Sequence, residues 1–272
     1  MKKSSPARIY VYLASKSDEA VIIRRGPSRL VQLIRWERAK DKFYTGQWLK
    51  GRVFERDCDI SPSGKYFAYG ARSFRDGQEK QYNAVSRPPY LTALAFWDVG
   101  VHSGAIVFAG ERKVWLQNSQ LSLNLPQTFY VDKNAKQKPA SSLYDYRMER
   151  DGWKLEQKPE TRRKTISTKV TQSNYSIVMT LLGFGQKNGP YKAYNYQLRD
   201  NEDKIVIDLK NAEWADWDHN GDLLFAREGK LWRLKAAQQE PIYTETSLAI
   251  ELIDLNDSTF EEVRAPVWAK KW

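Results

Sequence analysis

Along most of the chain, apolar positions come in short runs of five to eight residues, separated by polar clusters rich in Gly, Asn, Asp and Pro. The runs RIYVYLA (Arg8–Ala14), AVIIRRG (Ala20–Gly26), LVQLIRW (Leu30–Trp36), KYFAYGA (Lys65–Ala71) and AIVFAG (Ala105–Gly110) are rich in β-branched and aromatic residues. So are KVWLQ (Lys113–Gln117), YSIVMTLL (Tyr175–Leu182), KAYNYQL (Lys192–Leu198), KIVIDL (Lys204–Leu209), DLLFAR (Asp222–Arg227) and KLWRL (Lys230–Leu234). Such residues pack well on a pleated surface, so each run predicts a strand. Spacing of the i, i+3, i+4 kind is scarce, so few helices are expected. Many short strands at near-regular intervals indicate a sandwich, a barrel or a propeller.

Internal similarity separates these architectures. CDISPSGKYFAYGA (Cys58–Ala71), LAFWDVGVHSGAIVFAGERKVWL (Leu94–Leu116) and WADWDHNGDLLFAREGKLWRL (Trp214–Leu234) share one plan of strand, glycine turn and apolar strand. YRMERDGWKLEQ (Tyr146–Gln157) reads as a weaker fourth copy. LIRWERAKDKFYTGQW (Leu33–Trp48) and YNYQLRDNEDKIVIDL (Tyr194–Leu209) read as hairpins. Asn118–Ala140 and Glu156–Thr165 read as loops. The turn glycines Gly64, Gly104, Gly152 and Gly221 lie 40, 48 and 69 residues apart, close to the length of a four-stranded propeller blade.

The turn DISPSGKYFAYG resembles the D-x-S-P-D-G-K turn of TolB-like and WD-repeat-like β-propellers, with Ser63 where Asp is usual. No Gly-His…Trp-Asp pair recurs as it would in WD repeats, and the chain as a whole is similar to uncharacterised bacterial proteins. The resemblance implies a fold and no activity. The expected architecture is a single all-β domain over residues 1–272, a β-propeller of about five blades with about four antiparallel strands each. Its N-terminal strands (Arg8–Arg25) and a C-terminal hairpin (Leu248–Ala265) are expected to complete one shared blade, removing an exposed sheet edge.

Composition narrows the class further. Apolar residues make up 41% of the 272, with ten Trp, too many for a disordered chain. A lone cysteine, Cys58, excludes a disulfide framework and suits a reducing compartment. The first twenty residues lack a signal-peptide apolar region, and no run is long enough to span a bilayer. A cytoplasmic protein without membrane contact is expected. Net charge is +11, unevenly placed: residues 1–56 carry +9 and residues 200–262 carry −10. Such asymmetry steers acidic partners.

Candidate chemistry is sparse. His102 and His219 do not stand at metal-ligand spacing. Asp216, Asp218, Asn220 and Asp222 form D-x-D-x-N-G-D, which opens like a calcium loop. The twelfth position is Arg227 rather than the bidentate Glu such a loop needs, so turn chemistry is the expectation and no metal or cofactor is assigned. P-loop, G-x-S-x-G and H-E-x-x-H patterns are absent. LLGFGQKNGP (Leu181–Pro190) lacks the helix that would present amides to phosphate. Asp57 with Asp59, and Glu213 with Asp216, are carboxylate pairs by proximity alone.

Basic residues interleave with Trp36, Tyr44 and Trp48 in the first third, a composition shared with nucleic-acid binders. The loops RRGPSR (Arg24–Arg29) and SRPPY (Ser86–Tyr90) set Arg beside Gly or Pro, so Arg24, Arg25, Arg29, Arg87 and Tyr90 are the candidate contact residues. The expected role is a non-enzymatic binding scaffold for a protein partner. An acidic partner or nucleic acid, and a hydrolase-type site at a propeller funnel, are the alternatives.

Overall fold

The structure is a computed structural model that describes residues 6–26, 29–75, 78–100, 104–116, 125–126, 128–132, 142–157, 166–170, 175–184, 192–236 and 248–272. It is mostly β, in antiparallel sheets, and forms two compact units. The first takes in the described residues of Tyr10–Arg147 and Ser258–Trp272; the second takes in Pro6–Ile9 and Met148–Asp257.

In the first unit, β1 (Arg8–Leu13), β2 (Glu19–Arg25), β3 (Leu30–Glu37) and β4 (Lys42–Val53) run as a meander. β6 (Phe67–Arg75), β7 (Gln78–Ser86) and β8 (Ala95–Gly100) continue the sheet, with β5 (Asp59–Ile60) on the edge of β6. β4 is the joint. Its residues Lys42–Lys50 pair with β3, and Gly51–Val53 pair with β6. The crossing needs glycine, because a Cβ on Gly51 would lie 2.4 Å from the Arg72 carbonyl oxygen. β9 (Ile106–Gly110), β10 (Lys113–Leu116) and β11 (Tyr130–Asp132) form a separate sheet in which β10 and β11 are parallel.

Strands β2 and β6 read as nearly unbroken apolar runs because both of their faces are buried. Val21 and Ile23 enter one cluster with Leu33, Phe67 and Tyr69, while Ala20 and Ile22 on the other face are equally buried. On β6, Ala68 joins Tyr66 in a second cluster with Val85, Trp97 and Phe108. Alternation along one strand therefore feeds two cores.

The second unit holds two meanders. They are β12 (Lys154–Gln157), β13 (Ile166–Val170), β14 (Ser176–Phe184), β15 (Lys192–Arg199) and β16 (Ile205–Asp208), and then β17 (Ala212–Trp217), β18 (Leu223–Arg227), β19 (Lys230–Leu234) and β20 (Ile250–Asp254). One core of Trp153, Ile177, Tyr196, Leu198, Leu223 and Phe225 serves both.

The repeated turn is present in two copies. The Gly64 N–H donates to Ser61 O and the Gly221 N–H to Asp218 O, both at 2.8–2.9 Å. Their φ values of +78° and +86° are ones that L side chains rarely adopt.

Four expectations are corrected. The supposed fourth copy, Tyr146–Gln157, is instead the end of helix α1 (Leu143–Arg150), a helix cap and β12. Gly152, at φ +89°, closes that helix through Trp153 N–H to Met148 O at 2.9 Å. The terminal strands share no blade among the described residues: β1 pairs with β2, while β20 pairs with β19 in another sheet. Leu248–Ala265 is no hairpin, since only Ile250–Asp254 is strand, and residues 258–266 run without regular secondary structure to a 3-10 turn at Val267–Lys270. The region 118–140 is not wholly loop, because β11 lies in it; residues 158–165 lie outside the described set.

Helix α1 is held by its arginine. Arg147 is 3% exposed. It donates to Cys58 O at 2.6 Å and to Tyr10 Oη at 3.0 Å, and its guanidinium lies over the rings of Tyr10, Tyr12 and Tyr144 at 5.3–5.7 Å. Aromatic faces stabilise the desolvated cation where no water reaches it. Asp59 nearby accepts the N–H groups of Phe108 and Ile60 at 2.7 and 2.9 Å. Burial pushes the Cys58 thiol up to about 12.

That thiol makes stability fall in alkali. The folded chain keeps a proton that the unfolded chain releases near its ordinary value of about 8.5. Stability is therefore full below that pH and declines by up to about 1.4 kcal/mol per pH unit between there and about 12. Denaturation midpoints measured from pH 7 to 11 should fall more steeply for the wild type than for Cys58→Ala. Equal slopes would show that Cys58 does not titrate in this way.

Candidate binding surface

The candidate surface starts from two adjacent residues of β4. A Cβ on Gly46 would lie 1.9 Å from the Pro89 carbonyl oxygen, so only glycine lets the Pro88–Pro89 segment, which contains a cis peptide, lie against the strand. The Gln47 N–H donates to the same Pro89 oxygen at 3.0 Å. Its side-chain oxygen accepts from Leu91 N, Thr92 N and Thr92 Oγ1 at 2.8–3.0 Å, and its amide nitrogen donates to Val263 O at 3.0 Å. One glutamine thus ties the loop 87–92 to β4 on one side and the C-terminal segment to β4 on the other. Every hydrogen-bonding direction of its amide that these contacts use is matched by a protein group.

The C-terminal segment 258–272 forms a strap across this ground. Phe260 packs on Trp48 (6.1 Å between centroids), Trp268 on Tyr90 (5.6 Å), and Trp272 on Tyr66 (5.8 Å) and Phe129 (4.6 Å). Phe260 and Trp268 nonetheless stay 45% and 51% exposed, with Val267 at 69%. Cations stand against the same rings: Lys50 Nζ is 4.8 Å from the Phe260 centroid, and Arg24 is 5.4 Å from Trp48. Lys65 and Arg87 lie 5.3 and 5.6 Å from Tyr66. Among these, Phe260 beside Lys50 is an exposed ring beside a cation, a pairing that marks a recognition surface more readily than a scattered apolar side chain does.

The residues singled out from sequence fare unequally. Arg87 and Tyr90 flank the strap, with Tyr90 N–H donating to Arg87 O at 2.9 Å across one turn. Arg24 does not offer a surface charge: it is 2% exposed, it donates to the Gly26 carbonyl, and burial lowers its pKa. Arg25 pairs with Glu55. Arg29 is exposed. The basic loop expected at Arg24–Arg29 is therefore largely spent on internal contacts, because β2 is buried on both faces up to Arg24.

The calcium-like turn is held by its own cation. Asp218 and Asp222 reach Arg233 at 3.3 and 3.5 Å, Asn220 donates to Asp222 at 3.0 Å, and Asp216 pairs with Lys169 at 2.5 Å. The carboxylates proposed as pairs are likewise occupied: Asp59 accepts backbone amides, and Glu213 accepts Ile9 N–H at 2.8 Å. His219 is exposed beside Asp218, while His102 lies outside the described residues, as do residues 185–190. Among the described residues no group of three or more His, Cys, Asp or Glu side chains could hold a metal ion.

Sequence reading missed Gln47, Phe260 and Trp268. The C-terminal segment carries aromatics at Phe260, Trp268 and Trp272 without strand spacing, and that was the available signal.

If the strap is a docking face laid on a rigid base, the base and the face should respond differently to substitution. Gly46→Ala should destabilise the protein by about 2–3 kcal/mol through the displaced Pro89 backbone. Gly183→Ala, where nothing lies within 4 Å of the added Cβ, should be neutral or slightly stabilising. Trp268→Ala should stay within about 1 kcal/mol of wild type, whereas Trp272→Ala should lose about 2–3 kcal/mol. Chemical denaturation measures all four. A Trp268→Ala loss as large as that of Trp272→Ala would make Trp268 a packing residue.

No family model matches the chain, and no curated protein matches it either. Among solved structures, an uncharacterised protein from Listeria monocytogenes EGD-e is 12% identical, with a TM-score of 0.32 over 96% of this chain and 88% of that one. Apo prolyl oligopeptidase B from Galerina marginata is 11% identical, with a TM-score of 0.26 over 91% of this chain and 34% of that one. This chain thus spans about a third of that enzyme. At such TM-scores neither likeness bears on what the protein does.

Proposed function

We propose that this protein is a non-enzymatic binding scaffold, a β-propeller in architecture, that presents the strap face to a protein partner. Support for the architecture comes from the succession of meanders of sequence-adjacent strands, which among the described residues form sheets of eight, three, five and four strands. The observation that carries the function is the pair Phe260 and Trp268, half exposed on a segment that Gln47 fixes in place. Pre-ordered aromatic side chains cost little entropy on binding and are characteristic anchors of protein interfaces. The engagement of Asp59, Glu213, Asp216, Asp218 and Asp222 in internal contacts favours binding over a hydrolase-type site. Among the described residues no helix is long and apolar enough to cross a membrane. The free, buried Cys58 suits a reducing cytoplasm.

The test is site-specific photo-crosslinking in cells. p-Benzoylphenylalanine in place of Trp268 should give covalent adducts with a discrete cellular protein. The same group in place of Phe74, which is 66% exposed on β6, should not. Equal adducts from both positions, or none from position 268, would overturn the reading.

A further inference from the structure

Arg87 stands against a ring rather than an acid. Its guanidinium stands over the Tyr66 ring, its Nε is buried without a hydrogen-bond partner, and no carboxylate lies within ion-pair distance among the described residues. Arg25 and Arg35, by contrast, pair with Glu55 and Glu19. Lys65 shares the same ring, also without an acidic partner among the described residues. Two cations stand against one buried aromatic ring, and no side-chain carboxylate among the described residues lies within ion-pair distance of either. One turn along from Arg87, Tyr90 packs on Trp268, which with Val267 is exposed apolar surface.

We infer that this end of the strap is the reading site for a carboxylate-bearing peptide segment of the partner. An Asp or Glu side chain of the segment meets Arg87, and a neighbouring apolar side chain lies on Trp268. The inference rests on the proposed docking role of the strap and adds the chemistry of what docks. A planar guanidinium suits a carboxylate because its N–H groups match both oxygens at once. The terminal guanidinium nitrogens, which unlike Nε are not fully buried and carry no hydrogen bond among the described residues, are donors that an arriving carboxylate would satisfy. The strap carries exposed Lys270 and Lys271 toward Trp272, which suits an acidic segment there, while its first half disfavours a nucleic acid that follows its length. Exposed Glu261 and Glu262 lie on its first half, where a phosphodiester chain following the strap would meet like charge. A peptide contacting only the Arg87 end avoids them.

Fluorescence anisotropy with the full chain tests this. The probes are a fluorescein-labelled peptide of alternating glutamate and leucine, a lysine–leucine peptide of the same length, and a labelled oligothymidylate. The wild type should bind the glutamate–leucine peptide in preference to the other two. Arg87→Gln should weaken that binding about tenfold or more. Arg87→Lys, which keeps the charge but not the planar fork, should fall between the two. Lys80→Gln, an equal loss of charge on an exposed residue at the far end of β7, should bind as the wild type does. Circular dichroism of each variant verifies the fold. Unchanged binding by folded Arg87→Gln would overturn the inference. If Trp268→Ala still weakened that binding, the docking face would stand without its acidic specificity. Tighter binding of oligothymidylate than of the peptide would replace the peptide with a nucleic acid. No binding of the acidic peptide by the wild type would overturn the inference outright, while the crosslinking result at position 268 would judge the docking face separately.

Discussion

Close approach to β4 organises the first unit. At Gly46 the Pro89 carbonyl comes so near that any side chain would collide with it, and at Gly51 the Arg72 carbonyl does the same. Backbone packed this tightly leaves its polar groups in need of partners. Gln47 supplies them, with its amide oxygen serving Leu91 and Thr92 and its amide nitrogen serving Val263. The same strand also changes partners from β3 to β6 along its length. Sheet continuity, the loop 87–92 and the course of the strap therefore share one constraint. The strap's aromatics are displayed where they are because its backbone is fixed from beneath.

A second polar device works inside the unit. Arg147 brings a charge into the interior on helix α1, where its hydrogen bonds to Cys58 O and Tyr10 Oη and the rings around it replace water. Removing one partner of such an arrangement costs more than the arrangement contributes, since what remains is an uncompensated buried group. In the second unit, Arg233 plays a comparable part in the turn of Asp218 and Asp222. In both places an arginine of the chain itself satisfies the polar groups around it. Arg87 differs, because its guanidinium meets a ring and no acceptor among the described residues.

The strands and the glycine turns were legible in the sequence. Runs such as AVIIRRG, YSIVMTLL and DLLFAR became β2, β14 and β18 because β-branched and aromatic residues favour pleated, buried backbone wherever they lie in the chain. The turns at Gly64 and Gly221 need positive φ, a requirement that lies within four residues. What only the tertiary structure decided depends on distant partners. Gln47 and Val263 are 216 residues apart, so no local pattern marks either as a contact. YRMER is helical where Arg147 finds Cys58 O and three aromatic rings, whereas its alternation of apolar Tyr146 and Met148 with charged Arg147 and Glu149 suggests a strand. Arg24 lies inside because β2 is covered on both faces, and Arg87 stays uncompensated because no acidic side chain was folded beside it. Charge and aromaticity are properties of residues, whereas exposure and pairing are properties of neighbours, and neighbours across a sheet are chosen by the whole fold.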